Sequence, residues 1–241
     1  MCRSHGPSRK LVDLPCGRRV RSQLVESSSD DRDALERDVR KKLLLREIED
    51  AATLVLRGYG PEIFGFLTAR LRDESAAGEA FSMFTEDLWR GLPGFEGRAS
   101  VRVWAYTLAR HAAIRYQASP HLRRERNLPL HATEALSKLE ARVRTDTAPF
   151  LKTEFKTRIA ELRARLSEDD RTLLVLRIDR GLDWTDVARV FLAPESDASD
   201  RTMAAEAARL RKRFQLVKSK IRRMAKESGL VADTEDEPGE G

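Results

Sequence analysis

Cysteine is nearly missing from the chain. Cys2 and Cys16 are the only two, so neither a disulfide framework nor a paired-cysteine zinc site can be built. A reducing cytoplasm is the expected compartment. The four histidines, His5, His111, His121 and His131, show no metal-ligand spacing and no nearby nucleophile motif. A glycine-rich phosphate loop is lacking too. No apolar run reaches the roughly 18 residues a membrane span needs, and the start of the chain has no apolar signal-peptide core. Aromatics make up 6% and β-branched runs are scarce, which argues against sheets. The expectation is a protein without enzyme activity, cofactor, metal, membrane anchor or small-molecule substrate.

Charge is what the chain has in quantity. Over 241 residues, charged side chains reach 35% against 41% hydrophobic, enough apolar surface for one or two helical domains. A net charge of +6 and a pI near 9.5 point to an anionic partner, nucleic acid first.

The expected architecture is all-α: two small helical domains joined by a flexible linker, the second with a helix-turn-helix. Residues 1–30 hold Pro7, Pro15 and the Ser27–Ser29 run without apolar period, which predicts disorder. The first helical domain spans 31–118. Leu35, Val39, Leu43, Ile48, Ala52 and Val55 form one stripe, and Tyr59-Gly60-Pro61 predicts a helix break with Pro61 opening the next helix. Two further helices flank the turn at Leu92–Gly97. Residues 119–152, with Pro120, Pro129 and Pro149, predict a linker with one short helix.

The second domain is expected over 153–230. Ser167 and Asp170 form a capping box variant, Gly181 ends that helix, and Asp183 caps Trp184 to Phe191. Ala193 to Asp200 is a polar loop, and a long helix follows from Thr202 to Ser228. The tail, 231–241, carries five acids and no base.

The last helix concentrates the basic charge. From Arg201 to Glu227 ten bases stand against two acids, a net excess of eight that exceeds the whole chain's. Leu210, Phe214, Val217 and Ile221 form a stripe that reads as core rather than lipid-facing. Arg209, Arg211, Lys212, Arg213 and Lys218 then become candidates for phosphates and base edges in a major groove. A second candidate is the helix after Gly97. Arg102, Tyr106 and Arg110 lie four apart, with Arg98 and Ser100 in the preceding turn. Arginines interleaved with an aromatic suit an unstacked strand. For Trp104 a buried core role and a base-stacking role both stay open, as do an exposed charge and a strand contact for Arg102.

The stretch Leu88-Trp89-Arg90-Gly91-Leu92-Pro93-Gly94-Phe95 through Arg102-Val103-Trp104-Ala105-Tyr106-Thr107-Leu108-Ala109-Arg110 resembles the extracytoplasmic-function sigma factors of the main bacterial sigma family. Leu166–Arg171, Trp184–Ala188 and Arg209–Phe214 resemble the parts of that family's second conserved domain. The resemblance implies core RNA polymerase and promoter DNA as partners, and leaves room for an anti-sigma factor. It implies that Arg98, Ser100, Arg102, Trp104, Tyr106 and Arg110 face the melted minus-ten element. The basic set on the last helix would take the minus-thirty-five element. Glu79, Ser82, Met83, Asp87 and Trp89 would meet polymerase. The chain departs from the family pattern at Glu79, Ala80 and Ser82, at Val101, Val103 and His111, and by a longer helix-turn-helix connection over 193–203. A stand-alone helix-turn-helix regulator that does not bind polymerase is the alternative.

Overall fold

In the computed structural model, the described residues are 18–118, 138–144, 158–192 and 199–229, and among them there is no strand. Nine helices lie within these segments: α1 (Arg18–Leu44), α2 (Ile48–Leu71), α3 (Glu74–Gly91), α4 (Val101–Ala118), α5 (138–144), α6 (Arg158–Ala164), α7 (Glu168–Leu174), α8 (Trp184–Phe191) and α9 (Asp200–Glu227).

Two expectations about the first helices are corrected. The Leu35–Val55 stripe is divided between two helices, which part at Leu45-Arg46-Glu47, with Arg46 in the left-handed region at φ 61°. Lys42 fixes this corner by pairing with both Glu47 and Asp50 across it. The break expected at Tyr59-Gly60-Pro61 does not occur, because α2 runs through Pro61. An interior proline costs roughly 3 kcal/mol, through a lost hydrogen bond and a ring clash with the carbonyl four residues back. Pro61 and Arg57 both sit on the exposed side, while Val55, Leu56, Tyr59, Ile63, Phe64, Phe66 and Leu67 bury the other side. Burial of that continuous face outweighs the proline. The segment expected to be disordered, 1–30, is helical from Arg18 onward; its remainder, the polar loop at 193–198 and the acidic tail lie outside the described residues.

The caps follow the sequence closely. Asp73 accepts from the Ala76 amide at 2.7 Å and opens α3. Ser167 does the same for α7 through Asp170, Asp183 for α8 through Asp186, and Ser199 for α9 through Thr202. A π-helical turn, Val175–Asp179, continues α7, and Gly181 closes it at φ 68°.

One continuous apolar core runs through the molecule. Phe64, Phe81 and Phe84 stack between α2 and α3, and Phe66 meets Tyr106 of α4 edge-on at 5.3 Å. α8 packs on α4 and α7 on α2, so the C-terminal helices lie directly against the N-terminal ones. The short helix expected in the linker region is α5, seated on α2 and α3. The Val143 methyls lie where a Cβ on Gly60 would approach within 3.2 Å.

Candidate nucleic-acid interface

The start of α4 is held from outside its own helix. The Glu36 carboxylate of α1 accepts from the Val101 amide at 2.8 Å and the Arg102 amide at 3.0 Å, and from the Tyr59 hydroxyl at 3.0 Å. A carboxylate at a helix N-terminus satisfies free amides and meets the positive end of the dipole. Ser100 adds a hydroxyl that accepts from the Val103 amide. In the turn before it, Arg98 pairs with Glu96 and stays exposed, while Phe95 lies 4.9 Å from the half-buried Trp104 ring. Beside the turn is a cleft of about 510 Å³, with Arg40, Leu43 and Arg46 on one wall and Pro93 and Phe95 on the other. Arg40 and Arg46 are cations that sequence reasoning did not connect to this turn.

Arg102 and Arg110 do share a face of α4, but that face is covered. Arg102 forks onto Glu62 at 2.6 and 3.3 Å and also donates to the Arg180 carbonyl at 3.1 Å. Arg110 donates to Asp169 at 3.4 Å and to the Phe191 carbonyl at 3.5 Å, with its guanidinium 4.6 Å from the Phe191 ring. Tyr106 between them has no exposed surface, so in this arrangement its ring is core rather than a stacking platform. Burial drives its hydroxyl well above the ordinary phenol range. His111 meets the Leu192 carbonyl at 3.3 Å, and burial lowers its pKa.

On α9, the apolar stripe is Met203, Ala207, Leu210, Phe214, Val217 and Met224, with Phe214 braced edge-on against Trp184 at 5.4 Å. Arg209, Arg211, Lys212 and Lys218 are exposed on the remaining surface. Arg209 pairs with Glu206, Arg211 lies over the Trp184 ring, and Lys218 lies over Phe214. Arg213 behaves differently: it turns to α7, onto Asp170 at 2.7 Å and Asp169 at 3.7 Å.

The α3 residues are partly covered as well. Ser82 donates to Glu140 of α5 at 2.5 Å, Met83 is buried, Asp87 pairs with Arg115, and Trp89 is half-buried. Glu79 sits on the same helix, half-buried. Burial pushes the Glu140 carboxyl up, against the opposing pull of the Ser82 hydroxyl and of Arg144. Sequence reasoning missed Asp169, Glu62 and Arg180. The one available signal was the acidic run Glu168-Asp169-Asp170, which the capping pattern of α7 explained by itself.

The family model for sigma-70 region 2 matches residues 55–127. That stretch, under a third of the chain, is similar to sigma-70 region 2. The matched stretch takes in most of α2, all of α3 and α4, and every candidate from Arg98 to Arg110, in the turn and on α4. The match supports a sigma factor of the sigma-70 family, whose members initiate transcription with core RNA polymerase and promoter DNA and are not enzymes. No curated protein and no solved structure matches the chain significantly. Among the described residues, no helix is long and apolar enough to cross a membrane.

Proposed function

We infer that this sigma factor is of the bacterial extracytoplasmic-function type, working in the cytoplasm with two recognition domains. The region 2 domain, 31–118, docks on core polymerase through α3, with Glu79, Ser82, Met83, Asp87 and Trp89 at or near the contact. Its α4 and preceding turn hold unpaired bases of the minus-ten element. Arg98, Ser100, Arg102, Trp104 and Arg110 supply charge and aromatic surface, and Tyr106 fixes the helix from beneath. The cleft beside Phe95, with Arg40 and Arg46 at its rim, suits an extruded base, since an apolar wall and nearby cations answer its ring and phosphate. The second domain, 153–230, uses α8 and α9 as a helix-turn-helix on the minus-thirty-five element. The linker between them spans 119–152.

The observation that carries this reading is the coincidence of the region 2 match with a turn that displays Arg98 and seats Phe95 against Trp104 of α4. The exposed Arg211, Lys212 and Lys218 on a helix braced by Trp184 support the second half. The Arg211→Glu/Lys212→Glu double variant tests it on promoters with altered upstream elements, using reconstituted polymerase. Loss of upstream-element dependence with polymerase binding intact is expected. Unchanged upstream selectivity would remove α9 from the role of recognition helix.

A further inference from the structure

The cations of α9 are held in different ways, and each way leaves different donors for DNA. Arg209 is held by a carboxylate: its Nε and Nη2 donate along one edge of the guanidinium to the two Glu206 oxygens, at 2.8 and 2.5 Å. Arg211 lies 5.8 Å from the Trp184 ring centre and Lys218 5.5 Å from that of Phe214, contacts that cover ring faces and use no N–H. Arg213 is turned away onto Asp170 of α7. The Arg209 side chain is 58% exposed and that of Glu206 15%, so the guanidinium faces outward with the carboxylate behind it. Ala205, one turn earlier, and Ala208 beside it are exposed and too short to reach past the fork. Arg209 also lies in the N-terminal half of α9, the part of a recognition helix that meets base edges.

We propose that Arg209 reads a guanine in the upstream element, and that Glu206 is the positioning residue that aims it. The inference rests on reading α9 as the recognition helix. A guanidinium is a planar fork of N–H donors, and the side-on pair with Glu206 uses only one edge of it. The far end, between Nη1 and Nη2, still presents two parallel donors. In the major groove guanine O6 and N7 are adjacent acceptors, which match that end. Adenine sets a donor beside its N7, cytosine offers a donor, and thymine has one acceptor beside a methyl group. The Arg209–Glu206 pair is formally neutral, so it supplies direction rather than attraction for the backbone. A fork aimed before DNA arrives also loses less rotamer freedom on binding. Arg211 and Lys218, held by rings, keep their full charge, which suits phosphate. Base reading and backbone anchoring thus fall to different cations of one helix.

The test uses holoenzyme reconstituted from the full-length chain and core polymerase, with a promoter library randomised over the upstream element. The parent is expected to select a guanine at one upstream position or more. The double variant Glu206→Ala/Arg209→Ala removes a neutral pair. It should lose that guanine preference by about five- to 150-fold and keep the parent's salt dependence. Placing 7-deazaguanine, which lacks N7, at the selected position should weaken binding by the parent and leave the double variant unaffected. Glu206→Ala alone should blunt the preference while steepening the salt slope by about 0.9, because it frees a cation. Lys218→Ala should weaken all promoters alike and make the slope shallower by about the same amount. An upstream element without guanine, or a guanine preference that survives the double variant, overturns the inference. Full preference in Glu206→Ala removes Glu206 from the positioning role. The underlying reading fails separately. A parent that initiates with no upstream preference, or unchanged selectivity in Arg211→Glu/Lys212→Glu, would defeat α9 as the recognition helix, and the inference with it.

Discussion

Glu36 serves three donors with one carboxylate, and so ties α1 to the start of α4. Replacing it by alanine leaves two helix-start amides and a phenol without their acceptor in a half-buried place. Charge-assisted hydrogen bonds of this kind are worth about 1.5–3 kcal/mol each when broken singly. Water reaches part of the site, so Glu36→Ala is expected to lower unfolding free energy by about 2–3 kcal/mol. Glu36→Gln, which keeps the acceptor oxygen, is expected to cost less. Urea unfolding of both variants checks this order. Equal stability of Glu36→Ala and the parent chain would mean that Ser100 caps α4 unaided.

At the scale of elements, α5 shows what a small charged helix does on an apolar face. Glu140 is 7% exposed, and burial raises its folded-state pKa above that of the unfolded chain. Its contribution is therefore fully present below the unfolded pKa and is lost as pH rises through the raised folded value. Glu140→Gln is expected to be the more stable form at neutral pH. It should match the parent below about pH 4, where the Glu140 carboxyl of the parent is protonated in the folded and the unfolded chain alike. Melting curves of the two proteins across that range give the answer. Parallel curves would show that Glu140 carries no burial penalty. The elements themselves were readable from the residues wherever a cap and a period coincided, as at Ser167, Asp183 and Gly181. They were unreadable where packing overruled local preference. Pro61 stays inside α2 because the apolar face continues past it, and the corner at Arg46 puts a non-glycine residue in the left-handed region with only the Lys42 pairs to mark it.

At the scale of the whole molecule, long-range arginine pairs decide how the candidate site is presented. The spacing of Arg102, Tyr106 and Arg110 placed them on one helix face, and the structure agrees. That spacing carried no sign that Asp169, almost sixty residues further on, would meet Arg110, because a partner so distant leaves no periodic trace. Tyr106 was legible as an aromatic at helical spacing but not as core. Its neighbour Phe66 comes from another helix. The basic surface of α9 was legible in full, apart from the inward turn of Arg213.

The measurement that tests the central claim most directly is co-purification of the full chain with bacterial core RNA polymerase, followed by transcription from a library of random promoters. The account predicts a stable complex that initiates from promoters sharing two spaced elements. Its initiation should weaken steeply with salt, by a slope near −0.9 per phosphate neutralised. Absence of polymerase binding, together with tight and selective binding of duplex DNA by the chain alone, would contradict it.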